Sequence, residues 1–136
     1  MFLNPYLNFD GDCAEAFRFY EKALGGKILR LDTFEGSPMA GQMPAEERRR
    51  IIHARLQVGD NLLMGSDSMP GRHSAPAGFG IALGFDDRAS ADRAFDALAE
   101  GGRVDMPLQK TFFAEEGFGM VVDKYGFTWL VSAGAI

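Results

Sequence analysis

Apolar and polar side chains alternate through Leu3-Asn4-Pro5-Tyr6-Leu7-Asn8-Phe9, the period of two that marks a half-buried strand. After a turn at Asp10-Gly11-Asp12 the period lengthens. Ala16, Phe19, Tyr20 and Ala23 then share one face of a helix predicted from Ala14 to Leu24. Asp12, with Glu15 three residues on, has the form of a capping box, and Gly25-Gly26 supplies a stop. Lys27 to Phe34 predicts a second strand. Ile51 to Val58 alternates cleanly: Ile52, Ala54, Leu56 and Val58 on one side, His53, Arg55 and Gln57 on the other. Gly59-Asp60 turns the chain, and Asn61 to Ser66 returns as the other half of a hairpin.

The same succession then recurs. Phe79 to Phe85 reads as a strand and Ser90 to Glu100 as a helix capped by Ser90 or Asp87 and stopped by Gly101-Gly102. Arg103 to Met106 is a strand, Gln109 to Gly117 a loop, and Phe118 to Asp123 with Phe127 to Ser132 a second hairpin around Lys124-Tyr125-Gly126. Phe19, Ala23, Gly25, Gly26, Lys27 and Ile28 reappear 76 positions later as Phe95, Ala99, Gly101, Gly102, Arg103 and Val104. The order strand, helix, strand, hairpin, met twice, predicts an α+β fold. It consists of two tandem βαβββ modules, about 1–68 and 79–136, in a single domain over 1–136, with curved mixed sheets around a cavity. Glu35 to Arg50 shows no period and reads as a long mobile loop, a lid or a plain connector. Asp67 to Gly78, rich in Pro, Gly and Ser, joins the halves.

Composition narrows the partners. The 136 residues are 46% apolar and 24% charged, which is globular, and the 12 Phe predict a core or pocket rich in rings. A net charge of −5 speaks against nucleic acid, which needs clustered cations. The single basic run, Arg48-Arg49-Arg50, follows Glu46-Glu47 and reads as a solvated turn. The lone Cys13 excludes an internal disulfide, and no run is apolar enough for a membrane span or signal peptide, so a cytoplasmic protein is expected.

Particular residues carry a resemblance. The opening Asn4-Pro5-Tyr6-Leu7 with Phe9-x-Gly11-x-Cys13, then Phe19-Tyr20, then Met64-Gly65-Ser66-Asp67, is similar to the PhnB-like branch of the vicinal oxygen chelate superfamily (glyoxalase I, bleomycin-resistance proteins, extradiol dioxygenases). The tail is the most specific match: Gln109-x-Thr111-Phe112-Phe113-Ala114, Phe118-Gly119-x-Val121-x-Asp123-Lys124-Tyr125-Gly126, and Trp129. The resemblance implies a divalent metal held by one His or Glu from each of four strands. The matching positions here are Asn4, His53, Gly80 and Leu130, or Trp129 if the register slips by one. Only His53 is a good ligand for a transition metal, and catalytic sites need about three. No metal and no cofactor are therefore expected. A methyltransferase function has no support either, since both Gly-Gly pairs follow helices instead of opening a βαβ phosphate loop.

Several residues are candidates for an organic-ligand site, each with a plainer alternative. His53 shares its strand face with Arg55 and Gln57, beside Asn4, Tyr6 and Asn8, and is either a pocket residue or a hydrogen-bonded structural histidine. Arg55 can receive an anion bidentately or be a surface arginine. Tyr6 and Trp129 suit a cavity wall, and Trp129 equally suits packing under a helix. Phe112 and Phe113, rings in a loop, need cover from core, ligand or partner. Gln109 and Thr111 position a polar group or satisfy loop backbone. The small stripe Gly80, Ala82, Gly84 leaves room for a ligand or for close packing. His73 lies in the linking loop and reads as solvated.

Taken together, these readings predict a metal-free homodimer that binds a small amphipathic or aromatic ligand, with His53, Tyr6 and Gln109 supplying hydrogen bonds. The family implies that both chains build each cavity. The rival reading is a divalent-metal-dependent lyase, isomerase or dioxygenase using His53 with unorthodox ligands, and a third is a purely structural interaction module.

Overall fold

The computed structural model describes residues 1–134. The chain divides into two compact units, Met1–Ser74 and Ala75 onward, each a four-stranded mixed sheet with one helix on it. The α+β, twice-βαβββ reading is what the structure shows.

In the first unit, β1 (Tyr6–Phe9), α1 (Cys13–Leu24), β2 (Lys27–Thr33), β3 (Ile51–Val58) and β4 (Asn61–Asp67) form a sheet ordered β1-β4-β3-β2. β1 runs parallel to β4, and the other pairings are antiparallel. β1 starts three residues later than the alternation suggested. Pro5 has no N–H to give a ladder, although its carbonyl accepts from Met64 N–H at 3.1 Å. Asn4 and the exposed Phe2 and Leu3 therefore precede the strand.

The helix buries Cys13, Ala16, Phe17 and Tyr20, so Phe17 and not Phe19 is the core ring. Gly65 makes this possible: a Cβ there would lie 2.8 Å from Phe17 Cε1 and 2.7 Å from the Leu7 carbonyl oxygen. Burying such a ring stabilises by about 1.5–3 kcal/mol. The capping box does not form, for Asp12 makes no side-chain cap bond. Gly25 does end the helix in the left-handed conformation, φ 67°, as its sequence position predicted.

The segment expected to be a loose loop is folded. Three short 3-10 turns, Phe34–Gly36, Ala40–Gln42 and Ala45–Glu47, bury Phe34 and Met43. Arg48 Nε donates to the Met43 carbonyl. Arg50, expected to be solvated, donates to Asp10, Glu47 and the Ser68 carbonyl. It ties three loops together, and the basic run is thus partly structural.

The second unit holds β5 (Ile81–Phe85), α2 (Arg88–Ala99), β6 (Arg103–Gln109), β7 (Phe118–Val122) and β8 (Thr128–Ala133), ordered β5-β8-β7-β6. β5 begins after Phe79 and Gly80. β6 runs through to Gln109, tolerating Pro107 because it is an edge strand. Asp87 caps α2, accepting from Ser90 N–H at 2.8 Å and from the Ser90 hydroxyl. The buried face of α2 is Ala91, Ala94, Phe95 and Leu98. It matches Cys13, Ala16, Phe17 and Tyr20, two residues off the 76-residue spacing that relates Gly26 to Gly102. The Phe19–Phe95 identity therefore does not reflect equivalent places: Phe95 does the work of Phe17.

Candidate functional site

Strand pairing decides which side chains share the face of the first sheet that α1 leaves open. The two-residue turn of the β3–β4 hairpin sets Arg55 opposite Met64. Pairing with β1 and β2 extends this row to Tyr6, Met64, Arg55 and Arg30. By the same alternation the next row is Asn8, Ser66, His53 and Asp32. Tyr6 and His53 reach over β4 to each other. Their rings stack at 5.9 Å and 26°, and Tyr6 Oη and His53 Nδ1 share a 3.3 Å hydrogen bond in which the imidazole tautomer decides the donor. Tyr6 remains 43% exposed. Arg30 is held by Asp32 at 2.6 Å. Arg55 differs, because its Nε is buried with no hydrogen-bond partner among the described residues. This face can offer hydrogen bonds, an aromatic wall and a guanidinium to one small molecule.

Three of the anticipated ligand residues, Tyr6, His53 and Arg55, thus meet on one face. Asn4 lies just ahead of it, half-buried. Arg30, Asp32, Met64 and Ser66 belong to the same face and were not singled out. Met64 and Ser66 were reachable from the hairpin register; Arg30 and Asp32 were not, because a bulge in the β2–β3 pairing shifts β2 by one residue.

The other candidates lie in the second unit. Gln109 closes β6 opposite Phe118 and is exposed, as a strand residue and not a loop residue. Thr111 and Ala114 exchange backbone bonds, and Ala114 N–H also donates to Thr111 Oγ1. That tight turn holds Phe112 outward, 98% exposed. Phe112 contacts Phe113 edge-on at 5.2 Å, and Phe113 meets Phe118 at 5.1 Å. The two rings, with Glu115, Glu116, Ala133 and Gly134, line a groove of about 390 Å³. Trp129 takes the packing alternative. It is 2% exposed and donates its indole N–H to Asp123 Oδ2 at 2.8 Å. Leu130, not Trp129, is on the open face of β8. His73 is half-buried, and its Nδ1 is without a partner among the described residues.

The four positions that a superfamily metal would use do not fit one. A Cβ built at Gly80 would collide with Leu130 Cδ1, so hydrocarbon fills the place where two donors would meet. Ladder registers also make Met64 on β4, not His53 on β3, the counterpart of Leu130 on β8. His53 is therefore one strand away from the equivalent position. Among the described residues, no three His, Cys, Asp or Glu side chains are grouped to hold an ion. Cys13 offers no nucleophile: burial, then the nearby Asp67 and Asp12 charges, push its thiol pKa well above the ordinary range. Among the described residues, no helix is long and apolar enough to cross a membrane.

The sequence profile of the Glyoxalase/Bleomycin resistance protein/Dioxygenase superfamily matches residues 3–131. Protein YjdN of Escherichia coli K12 is 34% identical, covering 96% of this chain and 93% of its own. The crystal structure of protein PA1353 from Pseudomonas aeruginosa is 43% identical with a TM-score of 0.88, over 98% of this chain and 97% of that one. The PhnB protein of Bacillus cereus, at 22% identity, shares the fold with a TM-score of 0.80 over 98% and 99% of the two chains.

Proposed function

The chain belongs to the glyoxalase/bleomycin resistance protein/dioxygenase superfamily, and from that premise we propose that it is a metal-independent small-molecule binding protein of the PhnB-like type. The observation that carries this reading is the open face of the first sheet. There Tyr6 and His53 form a stacked, hydrogen-bonded pair beside Arg55. An amphipathic or aromatic ligand would lay its ring near Tyr6 and its polar end near His53 and Arg55. Hydrocarbon at Gly80 and Leu130 supports independence from a metal. The exposed Phe112 and Phe113 support a second chain as their cover, in a homodimer. The acidic net charge favours a small molecule over a nucleic acid, and the lone, deeply buried cysteine accords with a cytoplasmic setting.

A thermal-shift screen of aromatic and amphipathic compounds on the full chain tests the reading. At least one compound should raise the midpoint, and His53→Ala should abolish the rise. Indifference to every compound, or a stoichiometric transition metal lost on His53→Ala, would overturn it. Light scattering should give twice the chain mass.

A further inference from the structure

We infer that the ligand of the Tyr6–His53 face carries an oxyanion, a carboxylate or phosphonate, received by Arg55. This deepens the binding reading above and rests on it. Two independent observations point to a negative group.

The first is the Arg55 Nε–H donor, shut away from solvent and without an acceptor among the described residues. Buried donors in folded chains are almost always paired, so one left open marks a place where an acceptor belongs. In arginine, Nε–H and the adjacent Nη–H form a side-on fork that matches the two oxygens of a planar anion. The second is the pairing of Arg55 with Arg30 directly across the β2–β3 ladder. Like charges so placed repel, and the single acid of these rows, Asp32, is engaged by Arg30. A chain with net charge −5 thus keeps a local positive surplus on the face where Tyr6 and His53 gather.

Met64, between Tyr6 and Arg55 in the same row, supplies an apolar floor for the rest of the molecule. The geometry therefore selects a molecule with an apolar or aromatic body and one anionic end, about a strand spacing or two apart. The guanidinium binds, and no bond is made or broken in this step.

The test compares phenylacetate with its neutral twin phenylacetamide on isotope-labelled full chain, following the Nε–Hε resonances of arginine and the ring signals of Tyr6 and His53. Phenylacetate should bind at least about tenfold tighter and move the Arg55 Nε–Hε signal. Arg55→Met, checked for fold by circular dichroism, should erase the preference. Arg55→Lys should keep part of it, because a point charge attracts without the fork; this variant also serves if the methionine change fails to fold. Phenylphosphonate tells which oxyanion is preferred, and tighter binding of either acid than of the amide supports the proposal. If acid and amide shift Tyr6 and His53 equally, the oxyanion proposal falls while the binding reading stands. If neither probe perturbs those rings at millimolar concentration, the oxyanion proposal falls, and the thermal-shift screen above decides the binding reading separately.

Discussion

In the first unit a buried carboxylate, Asp67, ends β4; in the second, the buried carboxylate Asp123 sits in the turn between β7 and β8. Asp67 Oδ1 accepts from Gly11 N–H at 2.7 Å and Cys13 N–H at 3.1 Å, and Oδ2 accepts from Ile51 N–H at 2.8 Å. It thereby caps a helix that begins more than fifty residues earlier and fixes the first residue of β3. Asp123 works over a few residues: Oδ1 accepts from Tyr125 and Phe127 N–H, and Oδ2 from the Trp129 indole. The helix starts follow the same division. α2 is capped locally by Asp87, whereas α1 is served by Asp67 and not by Asp12. Equivalent folds have thus placed their compensating acids at inequivalent points, because any acceptor that reaches the open N–H groups satisfies them.

Removing the two buried acids should give the largest difference between the units. Asp67→Ala leaves three backbone donors from three segments without an acceptor, a loss of about 3 kcal/mol or more. In hydrogen exchange the Gly11, Cys13 and Ile51 amides should lose protection together. Asp123→Ala should cost about 1–3 kcal/mol, with loosening confined to 123–129 and a red shift of the Trp129 emission. Equal effects, or exchange spreading alike through both units, would remove the distinction between long-range and local acids.

The glycine pair should behave alike in kind and differ in degree. A Cβ at Gly26 would approach the Gln57 carbonyl oxygen at 2.6 Å, and one at Gly102 would come nearer still to the Val122 carbonyl oxygen. Both obstacles are backbone, at matching places on β3 and β7. Gly26→Ala and Gly102→Ala should each cost about 1–3 kcal/mol, with Gly102→Ala the worse in denaturant titration. A neutral Gly102→Ala would mean that the strand yields more easily than its ladder suggests.

The smallest contrast lies at the helix starts. Asp87→Ala should lower the thermal midpoint and Asp12→Ala should leave it nearly unchanged, since only Asp87 makes a cap bond. The Ser90 backbone bond, then the Ser90 hydroxyl, hold the Asp87 carboxyl below the usual range. A folded value below the unfolded one contributes stability above the ordinary carboxylate pKa and loses it as pH falls through the lowered value. The gap between wild type and Asp87→Ala should therefore close in acid. A gap that persists at low pH would assign the effect to helix propensity.

Local chemistry was readable. The Gly25 stop and the β3–β4 hairpin depend on residues a few positions apart and stand where the chain pattern put them, and the α2 cap falls to Asp87, one of the two candidates, with Ser90 as its donor. The facing of His53 and Arg55 on β3 was legible from alternation alone. The helix core was less so: Phe17 and Phe19 are both rings, and the glycine beneath them on β4 decides which is buried. The unperiodic segment after β2 looked loose because its order comes from the burial of Phe34 and Met43 and from Arg50 bonding to Asp10 and Ser68, distant in sequence.

By itself the sequence determined the two helices, the succession of strands around them met twice, and the hairpin registers, for these follow from periodicity and from turn residues a few bonds apart. Only the tertiary structure decided that Tyr6 meets His53, that Arg55 faces Arg30, that Asp67 caps α1 and that Leu130 fills the room beside Gly80. Each of those needs strands or loops distant in sequence to pair in one register, and a shift of one residue would turn every side chain of a strand to the other face.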